Sequence, residues 1–100
     1  MDNMEDRNLG RIDLLDDQNH YLFGVLDGTG GSLFVDNCIE AIPKIAKTLY
    51  AEQRFQENPN IFFVQIFRDC NAQLEHLLPE ESKTQGCSIC LMLIRREVVD

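Results

Sequence analysis

Two apolar runs, residues 21–27 and 87–96, do most to limit what this chain can fold into. In "YLFGVLD" the apolar side chains occupy both alternating faces of the run, and "CSICLMLIRR" follows the same pattern. A strand with one solvated face would instead alternate apolar and polar residues. The two runs therefore predict two central strands, each buried on both sides within a sheet or a sandwich.

A further strand is predicted at residues 9–15, "LGRIDLL", followed by the turn-rich "DDQNH". Together with 21–27 it reads as a hairpin, and this places His20 in the turn. The pairing would be antiparallel, so the start of the first strand would lie beside the end of the second.

After the glycines the apolar residues recur at helical spacing, which predicts a first helix with Ser32 as its N-cap. Pro43 lies inside this pattern and is expected to kink the helix or divide it in two. Asn58-Pro59 opens a second helix, which Pro79 ends, and residues 79–86 are predicted to form a loop. The predicted buried stripe of the second helix is Phe63, Phe67, Cys70, Leu74 and Leu77. The order is strand, strand, helix, helix, strand, which is the α+β class.

The length and charge of the chain exclude several functional classes. The 100 residues suffice for one domain, and the net charge of −8 argues against binding to nucleic acid, as no basic cluster exceeds Arg95-Arg96. The polar, acidic N-terminus is not a secretory signal, and the apolar stretches are too short to cross a membrane. We therefore expect an intracellular protein, cytoplasmic or nuclear, with all four cysteines reduced. Unpaired edges of its sheet would offer a route to self-association.

"LFGVLDGTGGS", residues 22–32, places a carboxylate where a buried strand ends in glycines. Asp27 is either a ligand for a hard divalent cation or a turn aspartate that makes a local side-chain bond. Glu5 and Asp6 are its nearest predicted partners because of the hairpin, although they also fit a solvated terminus. The glycines would let backbone carbonyls approach an ion.

Other motifs have alternative readings. "GTGGS" could be an anion-binding helix start, but it matches neither the dinucleotide fingerprint nor the lysine-containing phosphate loop. "CSIC" has the spacing of a redox or zinc site, yet Cys87 and Cys90 would face opposite sides of a strand. His20 and His76 are expected at the surface rather than as ligands.

Three segments together resemble a known family. "MED" (residues 4–6), "FGVLDGTGG" (23–31) before a helix, and "GCSICLMLI" (86–94) after two helices are similar to the metal-dependent serine/threonine phosphatases of type 2C. Their order and spacing agree over nearly the whole chain. The resemblance implies that residues 1–100 form a single partial domain, the N-terminal portion of an α-β-β-α sandwich.

The resemblance also implies a Mg²⁺ or Mn²⁺ centre and hydrolysis of a phosphoprotein. Asp27 would bridge two metal ions and the Gly28 carbonyl would bind one of them. Glu5 and Asp6 would complete that side, directly or through water. Binding by this chain alone would be weak or absent.

The sequence departs from the family pattern in ways that bear on activity. Thr29 stands where the family usually has a histidine, and a hydroxyl does not replace an imidazole as a general acid. A phosphate-binding arginine before M-E-D and the aspartates of the second half of the domain have no counterpart here, and neither Asp69 nor Asp100 lies in a matching motif. The alternative is therefore a phosphatase-like scaffold or regulatory module without catalysis, that is, a pseudophosphatase.

Overall fold

Four strands form one antiparallel sheet in the computed structural model, which describes residues 5–15 and 18–96, with only the backbone of Glu5 and Asp6. The strands are β1 (Glu5–Asn8), β2 (Ile12–Asp13), β3 (His20–Thr29) and β4 (Gly86–Arg95). β3 is central, because β1 and β2 pair with successive parts of one of its edges and β4 pairs with the other.

The predicted strand 9–15 is wrong in its bounds, because a bulge divides the segment. Between the pairs Asn8–Val25 and Ile12–Leu22, three residues of the outer segment face two residues of β3. Gly10 sits in this bulge with φ +71°, and its N–H donates to Asn8 Oδ1 at 2.8 Å. The antiparallel pairing predicted for the hairpin is confirmed, whereas His20 is the first residue of β3 rather than part of the turn.

Four helices connect β3 to β4: α1 (Leu33–Tyr50), α2 (Gln53–Glu57), α3 (Pro59–Leu77) and α4 (Glu81–Thr84). The long helices α1 and α3 begin where the sequence predicts, and the chain is α+β. The short helices α2 and α4 were not predicted, and α4 replaces part of the expected loop 79–86.

Of the two expected effects of Pro43, division of the first helix does not occur, because α1 continues through it to Tyr50. An interior proline costs a helix about 3 kcal/mol. Here Ile42 and Ala46, on either side of the proline, are completely buried in the core, and this packing offsets the lost hydrogen bond.

The core lies between the helices and one face of the sheet. The core includes Leu22 and Leu26 of β3, and on α3 it includes a row of residues one helical turn apart. That row is Phe62, Ile66, Cys70 and Leu74. The predicted stripe is therefore partly wrong, since Phe67 and Leu77 are exposed and Phe63 is only half-buried.

The other face of the sheet is apolar but exposed. Phe23 is 39% exposed, Val25 56% and Met92 59%. The prediction that both long strands are buried on both faces is therefore wrong for the residues described, because helices cover one face only. β4 is also an edge strand of the described sheet rather than a second central one, because it pairs only with β3.

Candidate functional site

Asp27 lies near the end of β3, on the face of the sheet that the helices do not cover. β1 pairs Asp6 with Asp27 and Glu5 with Gly28, while β4 pairs Ser88 with Asp27. The acidic N-terminal segment therefore runs beside the end of β3, as the hairpin predicted. The side chains of Glu5 and Asp6 lie outside the described residues, so their role as metal ligands stays a prediction.

The Asp27 carboxylate borders a cavity of about 570 Å³. The residue is half-buried, and its Oδ1 atom is shielded from solvent. Residues of both neighbouring strands line the same cavity, among them Asn8, Ser88 and Cys90, together with the apolar Val25, Leu26 and Ile89. A cavity of this size is within the range of small-molecule binding sites.

Arg7 fixes the position of β1 against the first helix. Its Nε donates to Asp36 Oδ1 at 2.8 Å, and Asp36 lies in the first turn of α1. This ion pair holds the edge strand next to the start of the helix.

Tight backbone contacts hold the glycine loop after Thr29. Gly30 has φ +82°, and a Cβ there would lie 2.5 Å from the Thr84 carbonyl oxygen. Gly31 has φ +144°, and a Cβ there would lie 2.9 Å from the Gln85 side chain. Only glycine fits both positions without displacement. Thr29 itself is exposed at the end of β3.

Gln85 satisfies the start of α1, a role that was not predicted from the sequence. Ser32 occupies the N-cap position as predicted, but its side chain makes no capping bond. Instead the N–H of Phe34 donates to Gln85 Oε1 at 2.9 Å, and the N–H of Asp36 donates to the Ser32 carbonyl at 2.9 Å. The Phe34 N–H, one of the donors that a helix leaves unpaired at its start, is therefore already engaged.

The donor set at the end of β3 suits a hard cation. Asp27 offers carboxylate oxygens, Gly28 a backbone carbonyl, and the register aligns the two acidic residues of β1 with them. Oxygen donors are the ligands that Mg²⁺ and Mn²⁺ prefer. Among the side chains that the structure describes, which exclude those of Glu5 and Asp6, no group of three or more acidic, histidine or cysteine residues could hold a metal.

The remaining candidate residues lie elsewhere. Cys87 lies on the helix-covered face of β4 and Cys90 on the exposed face, as predicted, so "CSIC" does not form a two-cysteine clamp. His76 is exposed in the last turn of α3, as predicted. His20 lies with its ring centroid 5.7 Å from that of Tyr50.

Comparisons with protein-family models, with curated proteins and with solved structures found no match to this chain. Within residues 5–15 and 18–96, none of the helices has the length and apolar character needed to span a bilayer.

Proposed function

We propose that this chain supplies the first part of a metal-dependent protein serine/threonine phosphatase domain of type 2C. The observation that carries the proposal is the register of β1 on β3, which pairs Glu5 and Asp6 with Gly28 and Asp27. The proposed ligands for Mg²⁺ or Mn²⁺ are these four residues. The family is proposed from the sequence resemblance, and the pairing of β1 with β3 supports the choice of these four residues as metal ligands.

The exposed sheet face supports the sandwich architecture that the family implies. Phe23, Val25 and Met92 form an apolar surface on the side opposite the helices. Neighbouring apolar side chains exposed in this way often mark a surface that packs against another part of a protein. In the proposed domain a second sheet packs against it, with the helices remaining outside.

The chain's own residues would bind and orient the reactants. Asp27, whose Oδ1 atom is shielded from solvent, would bind the metal ion. The adjoining cavity would receive the phosphate. Bound Mg²⁺ or Mn²⁺ would supply a more acidic water and offset the charge that develops on the phosphate.

Thr29 favours a second candidate, a phosphatase-like scaffold without catalysis. It stands at the position of the family histidine and is exposed at the end of β3. A threonine hydroxyl does not titrate near neutral pH, so it gives none of the roughly 10²–10⁴-fold acceleration that a general acid provides.

Phosphopeptide hydrolysis by the full-length protein in Mn²⁺ tests the proposal. We expect Asp27→Asn to abolish turnover, since it removes the central charged ligand. Asp13→Asn should leave turnover unchanged, because Asp13 lies on the same sheet but pairs with Arg11 at 2.9 Å. Thr29→His should raise turnover, by up to about 10²–10⁴-fold. Metal binding without turnover in both the wild type and T29H would instead establish the scaffold.

A further inference from the structure

Three thiols from different elements meet beneath the sheet. Cys38 of α1, Cys70 of α3 and Cys87 of β4 line one cavity of about 390 Å³. Cys38 and Cys70 are almost completely buried, at 1% and 3% exposure, and their sulfur atoms lie 3.9 Å apart. All three are free thiols.

A small solute can reach the pair from solvent. The exposed residues Phe67, Arg68 and Asn71 of α3 line the same cavity, so it opens at the surface of the helix. The cavity is large enough for several water molecules. Hydrogen peroxide, which is little larger than water and also polar, fits such a cavity.

We propose that Cys38 and Cys70 form an oxidation site, at which hydrogen peroxide converts the two thiols into a disulfide that joins α1 to α3. The inference does not depend on the phosphatase proposal. It rests on the contact between the two sulfur atoms and on their shared, open cavity.

The reaction proceeds in two balanced steps. The Cys70 sulfur attacks one peroxide oxygen, the O–O bond breaks, and the released hydroxide leaves as water with the Cys70 proton, which gives a sulfenic acid. The Cys38 sulfur then attacks the Cys70 sulfur, the S–O bond breaks, and a second water leaves with the Cys38 proton. Two thiols lose two electrons in total, and peroxide is reduced to two waters.

The pKa values of the thiols support this order. Side-chain hydrogen bonds with Cys38 lower the pKa of the Cys70 and Cys87 thiols, although burial opposes this, and they raise the pKa of Cys38 far above its ordinary value. Of the two thiols with a lowered pKa, Cys70 is the one whose sulfur lies 3.9 Å from that of Cys38. The thiolate is the nucleophile, so the thiol that deprotonates more readily attacks first.

Peptide mapping of the peroxide-treated protein tests the site. Treated protein is alkylated, digested without reduction and analysed by mass spectrometry. We expect a Cys38–Cys70 linked peptide, with Cys87 and Cys90 both alkylated. Cys90→Ala is the matched control, because Cys90 is exposed on the other sheet face and its loss should leave the linked peptide unchanged.

The variants test the order of the steps. Cys70→Ala should abolish the link, and Cys38→Ala should leave a sulfenic acid on Cys70 that a cyclic dione reagent traps. A link between Cys38 and Cys87, or four alkylated thiols in the treated wild type, would overturn the assignment. The mapping of the wild type alone decides this, even if a variant folds poorly.

Discussion

The side chain of Gln85 accepts a hydrogen bond from the backbone N–H of Phe34 at 2.9 Å. Gln85 lies between α4 and β4, while Phe34 lies in the first turn of α1. One amide therefore ties the start of the first helix to the start of the last strand, directly beneath the glycine loop that follows Asp27.

Gln85→Ala should destabilise the protein. The substitution leaves a donor of the first helical turn without its partner, and the loss of such a cap costs about 1 kcal/mol. Urea denaturation should show a lower midpoint with an unchanged slope. Gln85→Glu keeps an acceptor at a helix N-terminus and should stay close to wild type. Equal midpoints for Q85A and Q85E would show that the hydrogen bond contributes nothing.

Gly30→Ala should be far more damaging than Gly10→Ala, although both glycines have positive φ. A Cβ at Gly30 would meet the Thr84 oxygen at 2.5 Å, whereas at Gly10 nothing lies within 4 Å. We expect a loss of about 1 kcal/mol for G10A from backbone strain, and of about 3 kcal/mol for G30A from strain together with the clash. Thermal denaturation of both variants measures the difference, and equal losses would contradict the close approach.

The sequence was sufficient to predict the elements whose pattern is local. The strands β3 and β4 and the starts of α1 and α3 follow from apolar runs, a glycine loop and Asn58-Pro59. The faces of the helices were harder to predict. On α3 both Phe62 and Phe63 are apolar, and only packing against α1 decides that the row beginning at Phe62 is the buried one.

Features that depend on distant contacts carried no usable local signal. The bulge at Gly10 becomes visible only when β1 and β2 are both paired with β3. The cap from Gln85 joins residues 51 positions apart. At the candidate site the sequence predicted that Glu5 and Asp6 lie beside Asp27, because a hairpin register is itself a short-range property.

The two faces of β3 should respond differently to neighbouring substitutions. Leu22 is completely buried under the helices, so Leu22→Ala should cost about 2–5 kcal/mol. Phe23 is 39% exposed, and its ring lies edge-on to the Tyr21 ring with the centroids 5.4 Å apart, so Phe23→Ala should cost about 0.5–1.5 kcal/mol. Chemical denaturation of the 100-residue chain compares the two variants. A loss for F23A as large as that for L22A would show that the outer face is already covered, for example by self-association.

Asp27→Asn should weaken the binding of Mg²⁺ or Mn²⁺ to this chain. With so few carboxylates at the end of β3, we expect a Kd of about 10⁻⁴–10⁻³ M for the wild type. Metal at about ten times that Kd should then stabilise the fold by about 1.4 kcal/mol. Calorimetric titration and denaturation with and without metal measure the two quantities separately.

Asp13→Asn removes an equal charge from the same sheet, where Asp13 pairs with Arg11, and should change neither the metal affinity nor the stabilisation by metal. If D27N bound the metal as well as D13N, Asp27 would be a turn aspartate, and any acceleration of hydrolysis by metal would need other ligands.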